Sequence, residues 1–213
     1  QRMAAHSDVL NNHCIGAYRP VDMIMVGRRD KSLHEPVYNH YLPPSRHRMF
    51  LDFATRPQAP APCDEEFSTL ISTYAKANIA FCYETSGNPR FRGRSPLLAR
   101  WVHAWASGCT VMGTRPKGTG AAELFDWDDA VIDLPPEPSA AIDLIERVLD
   151  DPEGLERRRV RNVVECLERH DTRYRLRDML LSFGLESPER LERAISDLHA
   201  RANEIRKEYS DII

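Results

Sequence analysis

Residues 94–123 limit the fold of this chain more than any other part of its sequence. An apolar helical pattern ends at Gly108, a short apolar run follows at once, and a loop rich in Gly, Lys and Arg then leads to Glu123. Glycine is favourable just past the end of a helix. A helix, a buried strand and a polar loop in this order are typical of open α/β sheets, in which ligands bind outside the carboxyl ends of strands.

The rest of the chain repeats this alternation. Short apolar runs predict buried strands at residues 21–27, 78–83, 109–113 and 130–134. A helix is predicted to begin at Ser32, which has capping-box spacing to Glu35, and another is predicted at residues 45–55. Further helices are predicted to begin at Asp64, at Ser95 with Pro96 in the first helical position, and at Ser139. Strands that alternate with helices predict a Rossmann-like α/β fold, with a mostly parallel sheet and helices on both faces.

The two ends of the chain differ from this central part. Residues 1–19 show little periodicity, which predicts a linker or the remnant of an upstream domain, and residues 20–184 are predicted to form the α/β domain. Residues 185–213 are predicted to form an amphipathic C-terminal helix, after helices at 153–169 and 172–183. Its apolar residues recur at spacings of four and three, as in a heptad seam: Leu191, Ile195, Leu198, Ala202, Ile205, Tyr209 and Ile212. Two interpretations are open, packing across its own domain and pairing with an N-terminal domain or a second chain.

Composition excludes several classes of protein. The chain has 213 residues, of which 42% are hydrophobic, and a net charge of −3, as in ordinary globular proteins. A mildly acidic chain argues against a nucleic-acid partner, and no apolar run is long enough to span a membrane. The five cysteines are scattered without metal-ligand spacing, which predicts a reducing, cytoplasmic compartment and no bound metal. Because the first residue is Gln rather than Met, the sequence is expected to be a processed or truncated piece.

Four short motifs follow one another between residues 21 and 181. They are Val26-Gly27-Arg28 at the end of a strand, Arg100 with residues 104–108 on a helix, the loop at 118–123, and the sequence 170–175, His-Asp-Thr-Arg-Tyr-Arg. In this order they resemble the C-terminal, nucleotide-binding domain of GT-B glycosyltransferases of the broad group 1 class, and most closely the spore-coat-protein-like group. The resemblance implies a donor-binding half that takes a nucleotide-diphosphate sugar as substrate, with no other cofactor and no catalytic metal. The acceptor is unknown, and its site, with any catalytic base, is then expected outside this chain.

Cations and bare backbone amides at strand ends suit the chemistry that this resemblance implies. Transfer of a sugar from a nucleotide diphosphate develops negative charge on phosphate oxygens, and cations aimed there lower the barrier. Glycines let the backbone approach a ligand closely. The residues predicted to bind the donor phosphates are Arg28, Lys31, Arg94, Ser95, Arg115, Lys117, Gly118 and Gly120.

Two further residues are expected at the ribose or sugar. The resemblance implies that Glu123 contacts sugar or ribose hydroxyls, and that His103 stands where the family usually has a glutamate for the ribose. The histidine can still donate a hydrogen bond to a hydroxyl. The alternative for His103 is a core position between Trp101 and Trp105. Residues 126–128 spell Asp-Trp-Asp but follow a loop, which predicts a turn rather than a metal site.

Two other functions remain open from the sequence. The His103 departure favours a non-catalytic module that keeps the fold as a scaffold and docks a partner through the heptad seam. A sugar-nucleotide epimerase of related fold would share the donor pocket. The arginine-rich segment 157–177 does not favour nucleic acid, because acidic residues are interleaved with it at helical distances and predict a salt-bridged surface.

Overall fold

A parallel five-stranded sheet forms the centre of the molecule. The structure, a computed structural model, describes residues 15–27, 29–43, 47–53, 63–117 and 119–213. The strands are β1 (Val21–Val26), β2 (Phe50–Phe53), β3 (Ala77–Cys82), β4 (Thr110–Gly113) and β5 (Ile132–Asp133). They are ordered β2-β1-β3-β4-β5, and every neighbouring pair is parallel. The predicted α/β class with a parallel sheet is therefore confirmed.

Helices cover both faces of this sheet. Those described are α1 (Lys31–Tyr41), α2 (Cys63–Tyr74), α3 (Ala99–Ala106), α4 (Thr119–Leu124), α5 (Pro138–Leu149), α6 (Pro152–Glu165), α7 (Thr172–Ser182) and α8 (Glu189–Glu208). A short 3-10 turn at Pro89–Phe91 precedes α3, and a π-helical turn at Cys166–His170 joins α6 to α7. None of the helices in the described ranges is long and apolar enough to cross a membrane.

Alternating residues of the central strands supply two separate cores. In β3, Ala80 and Cys82 pack with Trp101 and Trp105 of α3, whereas Ile79 and Phe81 pack with residues of α1 and α5 on the other face. Successive side chains of a strand point to opposite faces, so a strand covered on both sides reads as a continuous apolar run. This is why the strands could be located from the sequence.

Several predicted elements differ from the structure in type or in extent. The helix expected at 45–55 is replaced by strand β2, which pairs with β1 through Phe50 opposite Met23 and Phe53 opposite Val26. A short run with aromatic residues fits a strand as well as a helix, and pairing with a neighbouring strand decides between them. Helix α3 begins at Ala99 rather than at Pro96, and β5 covers only Ile132–Asp133 of the predicted 130–134.

The C-terminal helix α8 packs on its own domain. Ile195, Leu198, Ala202 and Ile205 are buried in a third cluster with residues of α6, the π-helical turn and α7. The apolar seam recognised in the sequence is therefore occupied within the chain, and packing across its own domain is the correct interpretation.

The strand order fixes where a ligand would enter. The chain leaves β1 for β2 on one side, and β3, β4 and β5 follow on the other, so the order of the sheet reverses between β1 and β3. In open α/β sheets, the crevice outside the carboxyl ends of two such strands is the usual ligand site. The loops after β1, β3 and β4 border that crevice, and we call this region the carboxyl edge.

Candidate functional site

At the carboxyl edge, the backbone after β1 lies against a cation from α3. A Cβ atom placed on Gly27 would lie 3.7 Å from Nη2 of Arg100, in the first turn of α3. Gly27 has a φ of +87°, a conformation that L side chains rarely adopt, and its N–H donates to the carbonyl of Phe53 at 3.0 Å. The Arg100 guanidinium is thus held beside bare backbone where the sheet order reverses.

Glu84, directly after β3 and Tyr83, organises the neighbouring loop. Its carboxylate accepts hydrogen bonds from the backbone N–H of Ser86 at 2.8 Å, from the Ser86 hydroxyl at 2.5 Å and from the Ser95 hydroxyl at 2.9 Å. Burial acts to raise the pKa of Glu84, but these hydrogen bonds and the charge of Lys117 outweigh it and hold the pKa below its ordinary value. Glu84 is therefore a carboxylate at neutral pH.

The loop after β4 is tied to this arrangement through a serine. The backbone N–H of Lys117 donates to Oγ of Ser95 at 3.2 Å, while that hydroxyl donates to Glu84. The backbone N–H of Glu84 also donates to the carbonyl of Thr114 and to its hydroxyl, both at 3.0 Å. Two residues predicted from the sequence, Ser95 and Lys117, therefore meet here, and Glu84 connects them.

A chain of polar groups supports the loop after β1 from below. Arg29 donates from Nη2 to Asp52 at 2.5 Å, and the other oxygen of Asp52 lies 3.0 Å from Nε2 of His34. The hydroxyl of Tyr83 lies 3.4 Å from Nδ1 of the same histidine. Burial lowers the pKa of His34 although Asp52 acts to raise it. A neutral His34 donates from Nε2 to Asp52 and accepts at Nδ1 from Tyr83, so Arg29 is held by an oriented, buried carboxylate.

The remaining predicted phosphate-binding residues divide into four groups. Lys31, the first residue of α1, and Arg94, in the loop before α3, are exposed on loops of the carboxyl edge. Arg115 is turned towards β5, where it donates to Asp133 at 2.9 Å and to the carbonyl of Val131 at 2.7 Å. Gly120 lies in α4 with open space around its Cα. Arg28 and Gly118 lie outside the described residues.

The two residues expected at the ribose or sugar are not buried. His103 lies one turn beyond Arg100 on α3 and is half-buried, whereas Trp101 and Trp105 are fully buried on another side of the helix. His103 is therefore not the core residue of the alternative interpretation. Glu123 is exposed in the last turn of α4.

The sequence at residues 170–175 has structural contacts. His170 stacks on Trp105 with ring centroids 5.5 Å apart and packs against Trp127 at 5.6 Å. Burial lowers the pKa of His170 to about 4. Asp171 begins α7 by accepting from the backbone N–H of Arg173 at 2.9 Å. In the described contacts, this motif joins α6 to α7 and supports the α3 core.

The expected salt-bridged surface is largely present. Pairs join Arg159 to Glu156, Arg161 to Asp128, Arg169 to Glu165 and Asp126, and Arg175 to Asp178. Arg158 and Arg159 depart from this prediction because both are buried, and Nε of Arg158 lies 3.4 Å from the Thr110 hydroxyl. The sequence at 126–128 lies in a turn, as predicted.

Sequence reasoning did not find the polar chain of Arg29, Asp52, His34 and Tyr83. Because the pattern at residues 45–55 predicts a helix, it does not show that Asp52 lies beside β1. A strand at residues 50–53 places Asp52 at the same edge as Arg29. Arg100 was noted only as part of a motif. Its position at the start of a helix that follows a central strand is the signal that it faces the crevice.

Residues of the types that bind metals are scattered in the part of the chain that the structure describes. No group of three or more His, Cys, Asp and Glu residues there could hold a metal ion. Cys82, Cys109 and Cys166 are free and buried, and burial raises the pKa of Cys82 to about 12.

No family model, no curated protein and no solved structure significantly matches this chain.

Proposed function

We propose that this chain is the donor-binding half of a glycosyltransferase and that it holds a nucleotide-diphosphate sugar at the carboxyl edge between β1 and β3. The observation that carries the proposal is the Arg100 guanidinium against the bare backbone of Gly27, at the point where the sheet order reverses. A pyrophosphate needs both features, a cation and backbone that it can approach closely.

The surrounding charges suit the departure of a nucleotide diphosphate. Arg100 and Arg29 border the loop after β1, and Lys117 borders the loop after β4. As the bond from sugar to phosphate breaks, negative charge grows on the phosphate oxygens, and cations fixed in advance stabilise that charge without reorganising. In this account the protein cations carry out this role without a metal ion, so we expect donor cleavage to proceed without added Mg²⁺.

Glu84 positions these loops for the donor. Its carboxylate accepts three hydrogen bonds from Ser86 and Ser95 in the loop after β3, and the bond from the Lys117 backbone to Ser95 joins this loop to that after β4. The same charge beside Lys117 keeps that cation at the crevice. In this proposal His103 and Glu123 contact the ribose or sugar, and the acceptor site lies on an upstream domain or a partner.

Calorimetry with UDP, GDP and their sugars tests the binding step. We expect at least one of these ligands to bind. Lys117→Ala should raise the dissociation constant of that ligand about tenfold, because one charge-assisted contact is lost. Lys76→Ala is the matched control because Lys76 is an exposed lysine just before β3, at the opposite edge of the sheet. The proposal would be contradicted if none of these ligands binds, or if the two substitutions weaken ligand binding equally.

Product analysis separates transfer from its alternatives. A sugar-nucleotide epimerase would bind the same donors but return an isomerised nucleotide sugar. A glycosyltransferase releases the free nucleotide diphosphate when an acceptor is present. A scaffold that docks a partner through the α8 seam is not supported, since the buried residues of that seam already pack within the chain.

A further inference from the structure

The C-terminal half of α7 is an exposed apolar surface. Of the ten large hydrophobic side chains that are exposed in the described residues, five lie between residues 176 and 185. Phe183 is 75% exposed, more than any other large apolar side chain named there except Tyr18. Monomeric proteins rarely expose large contiguous apolar patches, and patches of this kind mark interaction sites.

Three of the five, Leu176, Met179 and Phe183, form one stripe with the half-buried Leu180, whereas the exposed Leu181 lies on another side of the helix. Leu176, Met179, Leu180 and Phe183 are spaced three and four residues apart and therefore share one side of α7. We call these four residues together with Leu185 the α7 stripe.

The C-terminal cap of α7 brings Leu185 into the stripe. Leu185 N–H donates to the carbonyl of Leu180 at 3.0 Å, and Gly184 N–H donates to that of Leu181 at 2.9 Å, with Gly184 at a φ of +69°. This is a Schellman cap, which places the residue after the glycine against the last turn of the helix. Leu185 nevertheless remains 55% exposed.

We infer that the α7 stripe is the contact surface between two copies of this chain, paired antiparallel about a two-fold axis. In such a contact the same patch meets itself, so that one end of the patch lies against the other end on the second copy. Opposite charges at the two ends therefore attract each other across the contact. Arg175 lies at the start of the stripe and Glu186 lies just after its end, and both are exposed. Antiparallel pairing brings Arg175 of each copy to Glu186 of the other.

The ion pair of Arg175 within the described residues is a weak one. Its ion pair with Asp178 spans 3.9 Å, and both side chains are more than half exposed. A pair of this kind contributes little to stability, so Arg175 can turn towards a partner at little cost.

The size of the stripe sets the expected strength of the contact. An 11-residue helix with its cap offers less than the ~800 Å² per partner of a standard interface. We therefore expect a reversible dimer that dissociates at about micromolar concentrations. This inference is independent of the proposed function.

Sedimentation velocity of the 213-residue chain, from about 1 μM to about 1 mM, tests it. We expect the sedimentation coefficient to rise with concentration, and Phe183→Asp to raise the dissociation constant about tenfold or more. Tyr18→Asp is the matched control, because Tyr18 is an aromatic residue elsewhere on the surface that is even more exposed than Phe183. Thermal unfolding checks that both variants remain folded, as the exposure of both side chains predicts.

Charge reversal tests the orientation. Arg175→Glu and Glu186→Arg are each expected to weaken the dimer, and the double variant to restore it. A wild-type chain that stays monomeric over the whole range would overturn the inference. A dimer that Phe183→Asp leaves unchanged, or a double variant as weak as the single ones, would overturn it equally.

Discussion

The two ends of the sheet use the same types of side chain in opposite ways. At the amino ends of the strands, Arg19 is buried and donates to the carbonyls of Ala77 at 2.5 Å and Ser107 at 2.6 Å. At the carboxyl edge, the side chain of Lys117 is exposed and interacts with Glu84 through its charge, while its backbone N–H donates to Ser95. A cation whose donors are used by buried carbonyls is part of the fold, whereas an exposed cation beside a carboxylate can meet a ligand.

Asn162 shows the same pattern as Arg19. From α6 it donates to the carbonyl of Cys109 at 2.9 Å and accepts from the indole N–H of Trp127 at 2.9 Å. Buried polar groups that are hydrogen-bonded to one another fix one packing arrangement, and removing one of them leaves its partners without that bond. The difference between the two edges therefore predicts where substitutions will affect stability and where they will affect binding.

The largest effect is expected for Arg19→Met. The change leaves the carbonyls of Ala77 and Ser107 without this donor inside the protein, which we expect to lower the free energy of unfolding by about 3 kcal/mol or more. Urea denaturation measures it. Arg94→Met, an exposed arginine at the carboxyl edge, is the control and should change stability by no more than about 0.5 kcal/mol. Equal losses in the two variants would remove the distinction between the edges.

Acid should destabilise the protein through the buried histidines. The folded pKa of His170 is about 4, below its ordinary value of 6.5, so the unfolded chain binds more protons between these pH values. Stability is then fully present above pH 6.5 and declines towards pH 4, by up to about 3 kcal/mol. His170→Phe should flatten part of this slope in urea titrations, and His34, whose pKa is also lowered, should keep the remainder. A slope that is identical in the variant would count against this account.

A smaller loss is expected for Asn162→Leu. The substitution keeps the volume but leaves the indole N–H of Trp127 and the carbonyl of Cys109 without a partner, at a cost of about 2 kcal/mol in the free energy of unfolding. Asn203→Leu, on the exposed side of α8, is the matched control and should be close to neutral. The two variants are compared by thermal and urea unfolding; a neutral Asn162→Leu would show that this contact contributes little.

The smallest effect on stability belongs to Lys117→Ala. Because its side chain is exposed, we expect no more than about 0.5 kcal/mol in unfolding, while nucleotide affinity falls about tenfold. Unfolding and calorimetry on one preparation of the variant separate these quantities. A variant that loses stability and binding together would place Lys117 with Arg19 rather than at a ligand site.

The sequence predicted the parallel sheet because its central strands are buried on both faces and read as apolar runs, as in residues 79–82 of β3. It failed at β2, an edge strand of four residues whose pairing with β1 local periodicity does not reveal. The same failure hid Asp52 and with it the support of Arg29.

For the site, the chain order of loops was enough to bring Ser95 and Lys117 to one edge. It was not enough to show that the Arg115 side chain turns away to Asp133, because side-chain direction depends on contacts that are distant in sequence. The seam of α8 was also visible as a pattern, but which surface covers it became clear only from the packing of α6 and α7.

A nuclear magnetic resonance titration of the labelled chain with UDP and with GDP shows whether a nucleotide binds at the carboxyl edge, because the signals of backbone amides report the place of binding. We expect one nucleotide to shift the amide signals of Gly27, Glu84 and Lys117 together, and to leave those of Arg19 and Asn162 unchanged. Shifts confined to the amino ends of the strands, or none with either nucleotide, would contradict this expectation.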